Sequence, residues 1–367
     1  MWLVKRRVVV IVCVVAVVLI CAGIMALRLR RRAALYDVTV LVTPGGEAIL
    51  PSSINDHGQI VGFVPRPGDQ YGIVLWDREE GDEELTCFDG WHPVNPFKIN
   101  DAGQIAGGIK DPNGMYRAFL WDRTNGLRML ETLCGLMSEV QAINDQGAMA
   151  GYSQTSNRKR HAVLWTQEGG LIDLGTLGGS ESHVGGINNR GEVVGFSQVA
   201  SGQWHAFFWD PNGGMKDIGA TSLEWPAGDH IRINNHGLVV GRFGSATDEM
   251  LISTWSATKG IGAVPSLEGL DAFPYGLNDV GQLLVHVRSQ SLMGLVTRIE
   301  AYLWTPGRGF VSLEERTGTV RGGILYLRDI NDEGRIVGLW LRGRGKNRGV
   351  LMTPVVEEAD GGTEGTR

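Results

Sequence analysis

One short pattern recurs seven times along the chain and limits the folds open to it. Ile-Asn-(Asp/Asn)-x-Gly begins at Ile54, Ile99, Ile143, Ile187, Ile233 and Ile330, and Leu277 opens the sixth copy. Successive copies start 44–46 residues apart, widening to 53 before the last. Asn stands second and Gly fifth in every copy. A second Gly follows eight residues after the Ile in six copies, as Gly62, Gly107, Gly151, Gly195, Gly241 and Gly338, while the sixth has Val285. Trp comes twenty-two residues after the Ile in the first five copies, as Trp76, Trp121, Trp165, Trp209 and Trp255. Trp304 takes that place in the sixth after a five-residue insertion, and Met352 in the seventh. A fixed period of this length marks a repeat architecture.

Each copy reads as four short strands. In the fourth, Ser182–Asn188 is predicted as the first strand and Glu192–Ser197 as the second. His205–Trp209 and Met215–Gly219 follow as the third and fourth. Asn and Asp tolerate turn dihedrals, and Gly supplies the positive φ that a bulged hairpin needs. The chain carries 53 Gly, about twice the usual ~7%, which suits many tight turns. Four strands in seven copies predict an all-β, seven-bladed β-propeller. A β-solenoid is the competing architecture.

The chain ends sharpen this reading. Thr43-Pro44-Gly45-Gly46 lies eleven residues before Ile54, where Thr132-Leu133-Cys134-Gly135 and Thr176-Leu177-Gly178-Gly179 precede the third and fourth copies. Asp37–Val42 therefore occupies the place of a fourth strand, and the seventh copy lacks one. The N-terminal strand is expected to complete the last blade and close the ring. A solenoid has no use for that permutation.

The runs His205-Ala206-Phe207-Phe208-Trp209, Ile187–Gly195 and Asp173-Leu174-Gly175-Thr176-Leu177-Gly178-Gly179 resemble the HAF repeat, a bacterial family regarded as extracellular. The resemblance covers about residues 36–352 and is closest in the third and fourth copies. It decays to Arg117-Ala118-Phe119 and Glu300-Ala301-Tyr302 elsewhere. It implies exposure outside the cytoplasmic membrane and supplies no reaction or catalytic residue.

Ahead of the repeats, Val8–Leu27 is twenty residues without a charge. As a helix that spans ~30 Å, the thickness of a hydrocarbon core. The run exceeds the ~7–15 residues usual in a cleaved signal peptide. The expected organisation is thus a basic N-terminus (1–7), one transmembrane helix or signal anchor (8–27), a basic linker (28–35), the propeller (36–356) and a disordered acidic tail (357–367). The expected address is the cytoplasmic membrane with the propeller outside, and a secreted, cleaved form is the competing one. Basic residues flank the helix on both sides, so the positive-inside rule nearly cancels.

The net charge is −6, but residues 1–32 hold seven bases and no acid. Without them 27 basic residues face 40 acidic ones, leaving the body at −13. Such a surface is a poor nucleic-acid binder. The repeated Asp56, Asp101, Asp145, Asp279 and Asp332 lack the alternating oxygens of a calcium loop and read as turn residues. No zinc-type His spacing, nucleophile elbow, phosphate loop or dinucleotide fingerprint occurs, so no catalytic, metal or cofactor residue is assigned. The periodic Trp residues read as packing between blades. Trp91, Trp204, Trp225 and Trp340 fall off the pattern and are expected to be exposed. Cys87 and Cys134 are expected as two buried free thiols rather than a disulfide.

Loops between second and third strands differ in every copy and share a face with the crossovers between blades. Loops on a rigid scaffold are where function is usually placed. Arg158-Lys159-Arg160 and the run from Arg342 through Arg344 and Lys346 to Arg348 are basic within an acidic body. With Trp204 they form the expected ligand face, suited to a glycan, an anionic polymer or a protein partner. The sixth-copy segment His286–Ile299 is a further candidate. A binding module, a carbohydrate-active enzyme working at the central channel, and a structural surface protein all stay open.

Overall fold

The computed structural model describes residues 36–355 apart from 69, 86–91, 94–96, 112, 222–229, 245–251, 265–270, 291–296, 318–322 and 342–346. Seven antiparallel sheets follow one another along the chain, as the seven copies require. The fourth blade shows the pattern: Gly178–Ile187, Val193–Val199, Trp204–Asp210 and Gly214–Ala220, paired in that order. In each blade the first strand is innermost and ends at the Ile of the repeated pattern. One departure occurs in the second blade, where His92–Pro93 and Lys98–Ile99 both pair with Ile105–Lys110. The described residues include a single turn of helix, Leu313–Arg316. No helix among them is long and apolar enough to cross a membrane, and segment 8–27 lies outside the described residues.

The last blade closes the ring across the chain ends. Tyr36–Leu41 pairs antiparallel with Arg348–Pro354, from Tyr36 opposite Pro354 to Leu41 opposite Gly349. That strand is the outer edge of a sheet whose other members are Ile336–Leu341 and Ile324–Ile330. The closure expected from the ends is therefore present, shifted by one residue.

Register explains the periodic Trp. Each pairs with the first residue of its second strand, as in Ile60 opposite Trp76, Val193 opposite Trp209 and Leu283 opposite Trp304. Met352 faces Ile336 in the same way, so the seventh copy substitutes one large apolar side chain for another. Buried apolar residues gather into seven clusters, each shared by two neighbouring blades. The Trp residues belong to or pack against these clusters. Burial of this kind is the main favourable term holding blade to blade.

The second Gly answers to backbone crowding. In five blades the inner strand shifts register one residue beyond its partner Gly or Val285, at Pro51/Ser53, Val140/Ala142, Val184/Gly186, Pro274/Gly276 and Leu327/Asp329. A β-carbon on Gly62 would stand 2.7 Å from the Leu50 carbonyl oxygen, and one on Gly338 2.6 Å from that of Tyr326. Neither approach is tolerable. These five bulges decide what lines the centre.

Candidate functional site

The two ends of the central channel are built on opposite plans. At one end sit the seven Ile-Asn-(Asp/Asn)-x-Gly turns. Their Gly residues, Gly58, Gly103, Gly147, Gly191, Gly237, Gly281 and Gly334, all have φ between 72° and 83°. Each Asn Oδ1 accepts from the backbone N–H four residues on, as in Gln59 to Asn55 at 2.8 Å. Each Asn Nδ2 donates to the carbonyl of the next copy's Asn: Asn55 to Asn100, then to Asn144, Asn188, Asn234, Asn278, Asn331 and back to Asn55, at 2.9–3.2 Å. A second ring runs beside it. The N–H of each following residue donates to the next side-chain oxygen, from Asp56 through Asp101, Asp145, Asn189, Asn235, Asp279 and Asp332 back to Asp56. Asn serves as both acceptor within its turn and donor to its neighbour, whereas an ionised Asp could only accept.

Charge in the second ring is uneven. Asn189 Nδ2 donates to Asp145 at 2.7 Å and Asn235 Nδ2 to Asp279 at 2.8 Å. That leaves Asp56 at the centre of five consecutive acids, Asp279, Asp332, Asp56, Asp101 and Asp145. Burial pushes its pKa up to about 6, with repulsion from Asp332, Asp101 and Asp145 adding to the rise. Asp332 is raised for the same two reasons, burial first. A carboxyl whose folded pKa lies above its unfolded one contributes stability below about pH 4 that is lost as pH rises through about 6. Asp56→Asn should therefore raise the melting temperature at pH 7, with little change at pH 4. A melting series from pH 4 to 7 checks this, and an unchanged pH profile would contradict the assignment.

The other end is asymmetric. A layer formed by Ile54, Ile99, Ile143, Ile187, Ile233, Leu277 and Ile330 separates the Asn ring from a cavity of about 370 Å³. The five bulged residues, Ser52, Gln141, Gly185, Tyr275 and Arg328, line it. In the fifth blade, whose paired residues keep one register, and in the second, whose inner strand is interrupted between Pro93 and Lys98, the equivalent Ile231 and Phe97 are fully buried in the core instead. Bulges re-aim side chains in this way. The next residue along is Ser53, Lys98, Ala142, Gly186, Arg232, Gly276 or Asp329, so seven equivalent positions hold six residue types.

Several polar groups here satisfy one another. Asp329 accepts from Ser53 Oγ at 2.5 Å and lies 3.5 Å from Lys98 Nζ, joining the seventh, first and second blades. Arg232 reaches across two blades, donating from Nε to the Tyr275 carbonyl (2.9 Å) and from Nη1 to those of Ile231 (2.9 Å) and Gly185 (3.3 Å). Tyr152 donates its hydroxyl to Glu139, a cavity-lining residue, at 3.3 Å. Burial and the charge of Glu139 raise the Tyr152 pKa, keeping that proton in place. Burial, with the nearby Arg328 guanidinium adding to it, pulls the His286 pKa down to about 3. The ring stays neutral and its Nε2 accepts from Leu327 N–H at 2.9 Å.

Strand direction puts the loops between second and third strands at this same end. Arg158 lies in such a loop with φ 63°, closing a turn onto the Thr155 carbonyl, and Lys159 follows it, exposed. Arg160 stacks over the Tyr152 ring, 4.8 Å from its centre, so Tyr152 links the basic loop to Glu139 in the cavity. Arg342, Arg344 and Lys346 lie outside the described residues. Trp204 is a correction: it is 6% exposed, its ring 5.3 Å from that of His183. The third strand begins before the His-Ala-Phe run, and Trp204 seals the core between the fourth and fifth blades. Trp340 is likewise buried, while Trp91 and Trp225 lie outside the described residues. Cys134 carries an exposed free thiol rather than a buried one, and Cys87 is not among the described residues. His161 and His205 pair with Asp173 (3.0 Å) and Asp217 (2.7 Å) on the adjoining strand. Of the segment His286–Ile299, the first five residues continue the strand Leu283–Gln290, and 291–296 lie outside the described residues.

No protein-family model matches the chain, and no curated protein matches it in sequence. Solved structures do. An acylaminoacyl peptidase from Pyrococcus horikoshii aligns with a TM-score of 0.52 at 10% identity, over 85% of this chain and 52% of that one. TolB from Acinetobacter baumannii aligns at 0.43 and 19% identity, over 59% and 53%. A lectin from Aleuria aurantia aligns at 0.36 and 12% identity, over 76% and 94%. The alignments with the peptidase and TolB span about half the length of those proteins. At 10% identity the likeness to the peptidase is one of fold alone, and by its seven sheets the chain is a seven-bladed β-propeller, an architecture commonly used for binding and interaction.

Proposed function

We propose that this chain is a membrane-anchored, extracytoplasmic propeller of the HAF-repeat type that works as a binding module, its ligand seated at the crossover-side mouth of the channel. One observation carries the reading. The blades keep the same Asn and Gly in all seven copies where they hold the ring together, yet present six residue types at seven equivalent positions around this cavity. Uniformity serves assembly; variety in a concave, partly charged site serves recognition. The basic loop Arg158–Arg160 belongs to the same end and extends the surface offered to a glycan, an anionic polymer or a protein partner, and in sequence the basic run Arg342–Arg348 falls between the second and third strands of the seventh copy.

Chain direction sets which face an anchored propeller would turn to the membrane. Tyr36 pairs with Pro354 at the end that carries the Asn ring. A helix at 8–27 followed by eight linker residues reaches at most ~29 Å beyond the bilayer. The Asn-ring face would then lie towards the membrane and the variable mouth away from it.

A face-selective test separates this from other sites. Cell-wall glycans, anionic polymers and candidate proteins are screened for a rise in melting temperature, since only a ligand of the folded state raises it. Lys98→Ala at the mouth should weaken the responding ligand severalfold, and Glu80→Ala on the opposite face should leave it unchanged. The reverse ranking would move the site to the turn face. Turnover of the responding glycan would reassign the protein as an enzyme.

A further inference from the structure

Resting on the mouth as a binding site, the unused polar capacity of its cavity identifies what fits there. Lys98, Ser53 and Asp329 satisfy one another, Arg232 is tied to three carbonyls, and Glu139 receives the Tyr152 hydroxyl. Two lining groups are left over. Arg328 makes no hydrogen bond or ion pair among the described residues, and Gln141 Oε1 is buried with no partner. They come from the seventh and third blades, which are not neighbours, so they approach the cavity from different sides. Counting Lys98, Arg232 and Arg328 against Glu139 and Asp329, the lining carries one surplus positive charge.

We propose that the cavity binds a small hydroxylated monocarboxylate of the sugar-acid class. Its carboxylate pairs with the Arg328 guanidinium, whose planar fork suits two carboxylate oxygens. Its hydroxyls meet Gln141, whose amide both accepts and donates, as a hydroxyl does. The apolar floor of Ile and Leu side chains accepts the carbon face of the ring. About 370 Å³ corresponds to roughly a dozen waters at ~30 Å³ each, the scale of one sugar acid rather than a polymer. A single surplus charge balances one carboxylate.

Titration calorimetry on the full-length chain in detergent, at low salt, tests this with D-glucuronate, D-glucose and glycine as probes. D-glucuronate should bind, with D-glucose at least tenfold weaker for want of the carboxylate. Glycine should be weaker than D-glucuronate, because it brings an ammonium group and no hydroxyls. Arg328→Met should lose at least about tenfold in D-glucuronate affinity, the scale of a charge-assisted hydrogen bond. Arg328→Lys should recover part of it, and Gln141→Met should lose severalfold. No D-glucuronate binding, equal D-glucose binding, or wild-type affinity in Arg328→Met would each overturn the proposal. If the variants fail to fold, the comparison of probes on the unaltered chain decides it. A different ligand that depends on Lys98 while D-glucuronate does not bind would keep the mouth as a binding site and remove only the assignment to a carboxylate.

Discussion

A chain lacking residues 1–42 should melt about seven degrees below one lacking residues 1–35. The two differ only in the strand that closes the ring and its junction. That strand pairs six residues with Arg348–Pro354, buries Tyr36 in one cluster with Val38 packed against it, and buries Leu41 in another. Full burial of such side chains contributes about 1.5–3 kcal/mol each, so the strand is worth roughly 5 kcal/mol against a total of about 5–15. Its loss also exposes Arg348–Pro354 as an unpaired edge, which invites association. The shorter chain should therefore elute partly as oligomers in size-exclusion chromatography. Equal melting of the two chains would mean that the seventh blade stands without its fourth strand.

Asn100→Asp should destabilise the ring by about 3–5 kcal/mol at neutral pH, the cost of stranding a buried charge. Asn100 is buried, and its Nδ2 donates to the Asn144 carbonyl at 2.9 Å and to Gln104 Oε1 at 2.8 Å. The substitution keeps the acceptor that caps the turn and sets an anionic oxygen against two other oxygens. Asp101, the next residue, adds repulsion. Protonation restores a donor, so the folded-state pKa of the new carboxyl lies above its unfolded value. Its penalty should then fade as pH drops towards 4 and grow as pH rises towards 7, opposite to ordinary acid denaturation. Asn100→Ala should cost about 1–3 kcal/mol with no such pH dependence from the site. Urea unfolding at pH 4.5 and 7.5 separates the two variants. Equal losses at both pH values in Asn100→Asp would show that the donated hydrogen bond contributes little.

Much of this architecture was legible in the repeat. The pattern gave the hairpin turns because Gly58 and its six counterparts need positive φ, and the offset of Asp37–Val42 pointed to closure across the ends. The bond from each Asn to the next lay beyond a single repeat, since its acceptor is 44–53 residues away in sequence. Invariance of Asn beside an Asp/Asn position was the available signal: a turn accepts either residue, whereas a donor requirement accepts only Asn. Trp204 and Trp340 were misread because departure from the period was equated with exposure. Both instead fill space at the crossover end, where the fixed Trp positions do not reach. The channel lining was missed for a physical reason. Whether the residue two before the Ile faces the channel or the core depends on backbone register: Ser52, Gln141 and Arg328 sit on one-residue bulges, whereas Ile231 keeps register and Phe97 follows an interruption of its strand. A column holding Ser, Phe, Gln, Gly, Ile, Tyr and Arg inside otherwise regular strands could have marked it.

Hydrogen exchange read by mass spectrometry, with and without the ligand that most raises the melting temperature, bears most directly on a channel-mouth binding site. Added protection is expected in peptides covering Ser52–Ser53, Lys98, Gln141, Arg232 and Arg328, with little change at the turns Asp77–Glu80 and Asp122–Asn125. Protection confined to those turns, or absent from all five inner-strand segments, would contradict binding at the mouth.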